Sequence, residues 1–143
     1  MSNSFIQTGS TLRFKVGVRK SNIDGLGAFA LVPVPARRKI GEFEGERISQ
    51  REARRRALRR DRIAIVELDN NAAIDGSRRG NKTRFFNHSC SPNTYIRIYR
   101  GRVEFYALRD IVKGEELTCH YGETHHEGKR CCTCNSSNCR GFL

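Results

Sequence analysis

The sequence predicts a mostly β domain built from several small sheets, with one short arginine-rich helix and a cysteine-rich knuckle near its C-terminus. Short apolar segments alternate with period two and are separated by Gly-, Asn- and Pro-containing turns, the pattern of brief, half-buried strands. No strand–helix–strand alternation is present, which argues against a doubly wound nucleotide-binding fold. Four of the six cysteines fall between Cys131 and Cys139, too clustered to staple a whole fold as disulfides.

The elements follow in order along the chain. Leu12 to Val18 places Leu12, Phe14, Val16 and Val18 on one face of a first strand. Ser21 to Gly27 is a polar turn, Ala28 to Val32 a second strand, and Pro33 and Pro35 end it. Ile40 to Ile48 holds another strand candidate, Gly41 to Glu46, interrupted by glycines. Ser49-Gln50-Arg51-Glu52 is a capping box, with Ile48 and Ala53 placed for a hydrophobic staple, and predicts a helix from Gln50 to Arg60. Its thin apolar face (Ala53, Ala57, Leu58) predicts shallow packing with arginines outward. Ile63–Leu68 and Ala72–Ile74 form a hairpin turning at Asp69-Asn70-Asn71, and Tyr95–Tyr99 and Val103–Ala107 form one around Arg100-Gly101. Ile111 to Leu117 leads into a last strand through Tyr121.

At 143 residues the chain has the length of one domain able to bury its own core. No run approaches 18 apolar residues, so no membrane span is expected. Met1 to Gly9 lacks the basic-then-apolar pattern of a secretory signal, so the expectation is an intracellular protein, in the nucleus or on the chromosome of a eukaryote or the cytoplasm of a bacterium. The net charge of +12, from 27 Lys plus Arg against 15 Asp plus Glu, attracts nucleic acid, anionic cofactors or acidic partners. Eight arginines crowd the stretch from Arg47 to Arg62, and the Arg51–Arg62 region is either a solvated face or a nucleic-acid contact.

Four constellations carry chemistry. Cys132, Cys134 and Cys139 can converge on one ion, and a tetrahedral Zn2+ needs a fourth ligand. Cys90, Cys131, His125 and His126 are candidates; neighbouring Cys131 and Cys132 side chains rarely both reach one metal, and Cys90 is favoured as the only remote cysteine besides Cys119. Gly25-Leu26-Gly27 is either a simple turn or a backbone that approaches a ligand closely. Asn87-His88 precedes Ser89-Cys90-Ser91-Pro92-Asn93; taken alone, His88 reads more commonly as a hydrogen-bonded core histidine and Asn87 as a turn residue. Gly114 to Gly122 ends in Tyr121, a packing tyrosine or one whose hydroxyl enters a pocket.

Together and in this order, these pieces resemble the SET-domain protein-lysine methyltransferases, from about Leu12 to Leu143. The family's Gly-x-Gly turn is matched first, then the Gly-Glu strand end (Gly45-Glu46) and Ile-Asp-x-x-x-x-Gly-Asn (Ile74 to Asn81). Arg-Phe-x-Asn-His-Ser-Cys-x-Pro-Asn is reproduced in full by Arg84 to Asn93. Arg-Asp-Ile-x-x-Gly-Glu-Glu-Leu-Thr is Arg109 to Thr118, and the cysteine-rich post-SET tail is Cys132 to Leu143.

The resemblance implies a SET fold with a knot-like core, divided into an N-terminal extension at 1–11, a SET domain at 12–123 and a post-SET zinc-binding segment at 124–143. It implies S-adenosylmethionine as cofactor, held by Gly25, Leu26, Gly27, Arg84, Asn87, His88, Tyr121 and Phe142, with Tyr121 catalytic. It makes Cys90 the fourth ligand of one structural Zn2+, beside Cys132, Cys134 and Cys139. Lysine methylation of a histone or histone-like protein is the implied activity, in a monomer or homodimer. The substrate channel departs from the family at three positions: Cys119 stands where many members have Phe or Tyr, and Ala64 and Phe43 where many have Tyr. These departures also fit a catalytically silent SET module that binds protein or nucleic acid.

Overall fold

The computed structural model describes residues 11–59, 64–120, 132–134 and 136–141. Ten short strands, one α-helix and one 3-10 turn make up these residues, arranged as three small sheets. The first sheet contains β1 (Val16–Lys20), β2 (Leu26–Ala30), β10 (Glu116–Cys119) and β7 (Asn87–His88), in the spatial order β1-β2-β10-β7. The second orders β3 (Lys39–Glu42), β9 (Arg102–Ala107) and β8 (Thr94–Tyr99), and the third β4 (Glu46–Ser49), β6 (Ala72–Asp75) and β5 (Ile65–Glu67). The predicted class, several small sheets with one arginine-rich helix, is the class observed.

The pairing that positions the site is that of β10. It runs antiparallel to β2, with Leu117 opposite Ala28, and parallel to β7, with Thr118 opposite Asn87 and Cys119 opposite His88. A strand late in the sequence is thereby inserted between an early one and a central one. Ile40, Ile111, Leu117, Val34 and Val103 are the largest fully buried apolar side chains. Burial of each contributes about 1.5–3 kcal/mol, enough to fix three small sheets around one core.

Both hairpins turn where the sequence places them. Asn70 and Asn71 have φ of 59° and 62°, and Arg100 and Gly101 have 51° and 75°, the left-handed pairs that match strand twist in a two-residue connection. α1 (Gln50–Ala57) begins at Ser49, whose hydroxyl accepts from the Glu52 amide at 3.0 Å, and buries Ala53.

Several boundaries differ from the sequence reading. The first strand begins at Val16, because residues from Leu12 form an arm whose Arg13 amide donates to the Ile40 carbonyl while Leu12 and Phe14 still pack on the core. The second strand begins two residues early, at Leu26. The segment read as one strand from Gly41 to Glu46 divides into β3 and β4 in different sheets. At the division, Gly45 packs so closely on the Asp75 carbonyl that no side chain would fit. α1 ends at Ala57, since Leu58 is 85% exposed and finds no apolar surface; Arg60 to Ile63 lie outside the described residues. β7 and the 3-10 turn at Lys82–Phe85 carry no periodic signal and were not expected.

The arginines of α1 do not simply face outward. Arg56 reaches Asp75 at 2.9 Å, Glu46 at 2.8 Å and Glu52 at 2.7 Å, and Asp75 is wholly buried. Arg55 pairs with Glu52 and Arg54 with Glu67.

Candidate active site and metal centre

The Ser21–Gly27 turn is built around one carboxylate. The Ser21 hydroxyl lies 2.8 Å from both carboxylate oxygens of Glu116, and the Ile23 amide donates to the same hydroxyl oxygen. Gly25 takes a φ of 47°, and a β-carbon at Gly27 would collide with the Glu116 carboxylate. The Asn87 amide nitrogen lies within 3.2 Å of Ser21 Oγ, the carbonyls of Asp24 and Leu26, and Glu116 Oε2. A primary amide has two N–H groups to share among these acceptors, so its donors are directed into the chain's own turn. Asn87 thus clamps the turn to β10, while Gly25 and Leu26 face outward, Leu26 at 51% exposure.

Asn93 provides a second clamp. Its side chain donates to the Glu116 carbonyl at 2.8 Å and accepts from the Thr118 amide at 2.9 Å, and the neighbouring Thr94 hydroxyl donates to the Thr118 carbonyl at 2.7 Å. The two asparagines of the Asn87–Asn93 segment therefore grip β10 at successive positions. Sequence reasoning gave Glu116 and Asn93 no role; the Glu-Glu and Pro-Asn ends of their motifs were the available signal.

The cysteine prediction concerns atoms the structure brings together. The sulfurs of Cys90, Cys132, Cys134 and Cys139 all lie within 4.8 Å of one another. Four thiolates bound tetrahedrally at about 2.3 Å from Zn2+ would stand about 3.8 Å apart, so this all-sulfur set fits such an ion with little adjustment. The Arg140 amide points at Cys90 Sγ (3.3 Å) and the Gly141 amide at Cys139 Sγ (3.4 Å), donors that favour thiolate charge. Burial opposes ionisation of Cys134, but hydrogen bonds led by that from Ser136 outweigh it and hold this thiol down to about 6. Cys131, His125 and His126, the other candidate ligands, lie outside the described residues.

The cluster ties the tail to the rest of the site. Asn138 donates to the Cys90 carbonyl at 3.0 Å and accepts from Ser91 at 2.7 Å, and the hydroxyls of Ser89 and Ser136 meet at 3.2 Å. The Thr133 hydroxyl donates to the Ile23 carbonyl at 2.6 Å, inside the glycine turn. His88 is buried, its Nε2 3.3 Å from Cys90 Sγ and its ring 4.8 Å from that of His120. Burial first, then the nearby His120 and Arg140, hold it down to about 4, so it is neutral at physiological pH.

Other predicted site residues are more dispersed. Arg84 is exposed, its guanidinium over the Phe85 ring at 4.6 Å. Cys119 is buried beside His88 in the β7–β10 pair, and burial pushes its thiol up to about 12. Phe43 and Ala64 meet at Gly76, whose amide donates to the Ala64 carbonyl at 2.7 Å and where a β-carbon would press on the Phe43 ring. Phe43 and Cys119 belong to one apolar cluster, with Ala64 packed against it. Tyr121 and Phe142 lie outside the described residues.

Comparison with known proteins agrees with this geometry. The SET domain family model matches residues 25–122, from the glycine turn past the end of β10. The chain belongs to the SET-domain family. This SET domain is 38% identical over 136 aligned residues to a histone-lysine N-methyltransferase, H3 lysine-4 specific, of Eremothecium gossypii, covering 87% of this chain and 14% of that protein. The corresponding protein of Saccharomyces cerevisiae is also 38% identical over 136 residues, covering 87% and 13%. Histone-lysine N-methyltransferase trithorax of Drosophila virilis is 35% identical over 141 residues, covering 93% and 4%. The chain therefore spans a small fraction of the lengths of these relatives. No helix among the described residues is long and apolar enough to cross a membrane.

Proposed function

We propose that this chain is an S-adenosylmethionine-dependent protein-lysine N-methyltransferase with one structural Zn2+, acting on a lysine of a histone or other nucleic-acid-associated protein. The observation that carries this reading is the meeting of three distant segments at one place: the outward-facing Gly25-Leu26 turn, the Asn87–Cys90 segment and the tail that adds three cysteines to Cys90. The histone-specific names of the relatives support the substrate class and a nuclear site of action.

The residues fit the cofactor at an open edge. Gly25, Leu26 and Gly27 would receive its amino-acid part. Asn87 would contribute mainly through its backbone, since its side-chain donors are directed inward. His88, Arg84, Tyr121 and Phe142 complete the proposed set by resemblance, with Phe142 over the adenine. When bound, S-adenosylmethionine supplies an electrophilic methyl group on a sulfonium. The chain's own task is to present a neutral amine in line with it. Free lysine has a pKa near about 10.4, and desolvation beside a cation lowers that value. A channel lined by Phe43, Ala64 and Cys119 is apolar enough for this, and the Tyr121 hydroxyl orients the amine. Cys119 leaves more room beside the amine than Phe or Tyr would, which favours products beyond monomethyl-lysine.

The test is transfer of labelled methyl groups to histones, DNA-binding proteins and lysate, with mass spectrometry of the product. Incorporation should fall about 100-fold or more in Tyr121→Phe, as misplacement of a reacting group does. Incorporation that persists undiminished in Tyr121→Phe would remove the catalytic role given to Tyr121, and none on any substrate would hand the site to a silent binding module. Strictly monomethylated product would remove the role given to Cys119.

A further inference from the structure

Part of the arginine-rich stretch is neutralised within the fold, and the basic surface extends beyond it. In α1, Arg54, Arg55 and Arg56 are each held by a carboxylate. At the β8–β9 turn the balance reverses. Arg97 and Arg102 both approach Glu104, at 4.0 and 3.5 Å, but that buried carboxylate is already held by Lys39 at 3.1 Å. Arg47 crosses from β4 to donate to the neutral Gly101 carbonyl at 2.7 Å. Arg47, Arg79 and Arg102 line one shallow cavity of about 220 Å³ together with Glu42, which Lys39 holds at 2.6 Å, and Glu44, which accepts from the Thr11 amide and the Asn81 side chain. Among the described residues, no carboxylate lies within ion-pair reach of Arg47, Arg79 or Arg100.

An aromatic ring sits among these cations. Tyr99 is 40% exposed, with the Arg97 guanidinium 4.7 Å and the Arg100 guanidinium 5.2 Å from its ring centre, and Ile98 beside it is 47% exposed. Planar guanidiniums around a ring suit phosphodiester oxygens and the base and sugar faces beside them. An acidic protein surface would use the charge and leave the exposed Tyr99 ring unexplained. We propose that the β8–β9 hairpin tip, with Arg47 and Arg79 from the adjoining elements, is a nucleic-acid-binding face of this protein.

The placement is compatible with the active-site reading but does not depend on it. Thr94, at the opposite end of β8, is the residue bonded to Thr118 of β10. Six residues of strand put the hairpin tip about 17 Å from that point. Nucleic acid held at the tip leaves the glycine turn and cysteine cluster accessible, so the hairpin would tether the domain to a nucleic-acid-bound substrate.

The experiment is fluorescence anisotropy of a labelled 20-base-pair duplex and of its single strand, titrated with the full chain at several salt concentrations. Two triple variants carry the same charge change: Arg79→Gln, Arg97→Gln, Arg100→Gln at the hairpin, and Arg51→Gln, Arg54→Gln, Arg55→Gln on α1. The hairpin set should weaken binding about tenfold or more and flatten the logarithmic salt slope by about 2 to 3, and the helix set should change affinity less than about threefold. Equal losses in both sets would assign the attraction to net charge and overturn the proposal. So would a loss confined to the helix set, a flat salt dependence, or polyglutamate competing as well as DNA at equal charge. The chain contains no tryptophan, so Tyr99→Trp gives a reporter with every arginine intact. Its emission should change on adding either DNA; an unchanged spectrum at saturating DNA would also overturn the proposal, even if the charge variants fold poorly.

Discussion

Glu116 is the residue on which the glycine turn closes: it meets the Ser21 hydroxyl and the Asn87 amide, and it fills the space a side chain would need at Gly27. Gly27→Ala should therefore displace the carboxylate and cost about 1–3 kcal/mol in urea unfolding, as overpacking does. It should also weaken cofactor binding measured by calorimetry, because the turn would shift as a unit. Cys119 makes a different prediction. Its native thiol stays protonated up to about 12, while an unfolded thiol ionises around 9.0. The unfolded chain releases its proton first, so stability contributed at this site is intact below about 9 and falls as pH rises toward 12, by up to about 1.4 kcal/mol per pH unit. Alkaline unfolding of Cys119→Ala should lack that component, and a slope equal to that of the parent would contradict the burial argument.

α1 shows how far local sequence reaches. Ser49 caps it as its capping sequence implies, and Ser49→Ala should lower stability by about 1 kcal/mol in thermal or urea unfolding. Its length was overestimated because a propensity for helix continues through Leu58 and Arg59, whereas burial stops at Ala57. The two hairpins were legible to the residue at their turns, since Asn70, Asn71 and Gly101 favour left-handed backbone directly, and Arg100 follows the turn that Gly101 permits. The division of one apparent strand into β3 and β4 was not, because its cause is the Asp75 backbone, some 30 residues onward, pressed against Gly45. In the same way the cysteine spacing identified three sulfurs of the cluster, and the remoteness of Cys90 suggested the fourth. The inward turn of the Asn87 side chain carried no local signal, since it depends on acceptors from Ser21, Leu26 and Glu116.

For the molecule as a whole, the described part of the tail is joined to the body at the Ser89–Ser91 segment, through the sulfur cluster and the Asn138 and Ser136 hydrogen bonds, and at Ile23 through Thr133. If zinc organises that cluster, chelation should loosen both attachments. Cofactor affinity should fall on chelation and return when Zn2+ is restored, although no cysteine is assigned to the cofactor; an affinity indifferent to chelation would separate the tail from the site. The insertion of β10 between β2 and β7 has a consequence in time. β2 pairs with the adjacent β1, yet its other sheet neighbour begins at Glu116, nearly ninety residues later in the chain. Pairings this distant in sequence close large loops before they return any stabilisation, which slows folding. On the ribosome the first sheet must wait with one edge of β2 unpaired until most of the chain has been synthesised, and the cofactor turn cannot close on Glu116 before then.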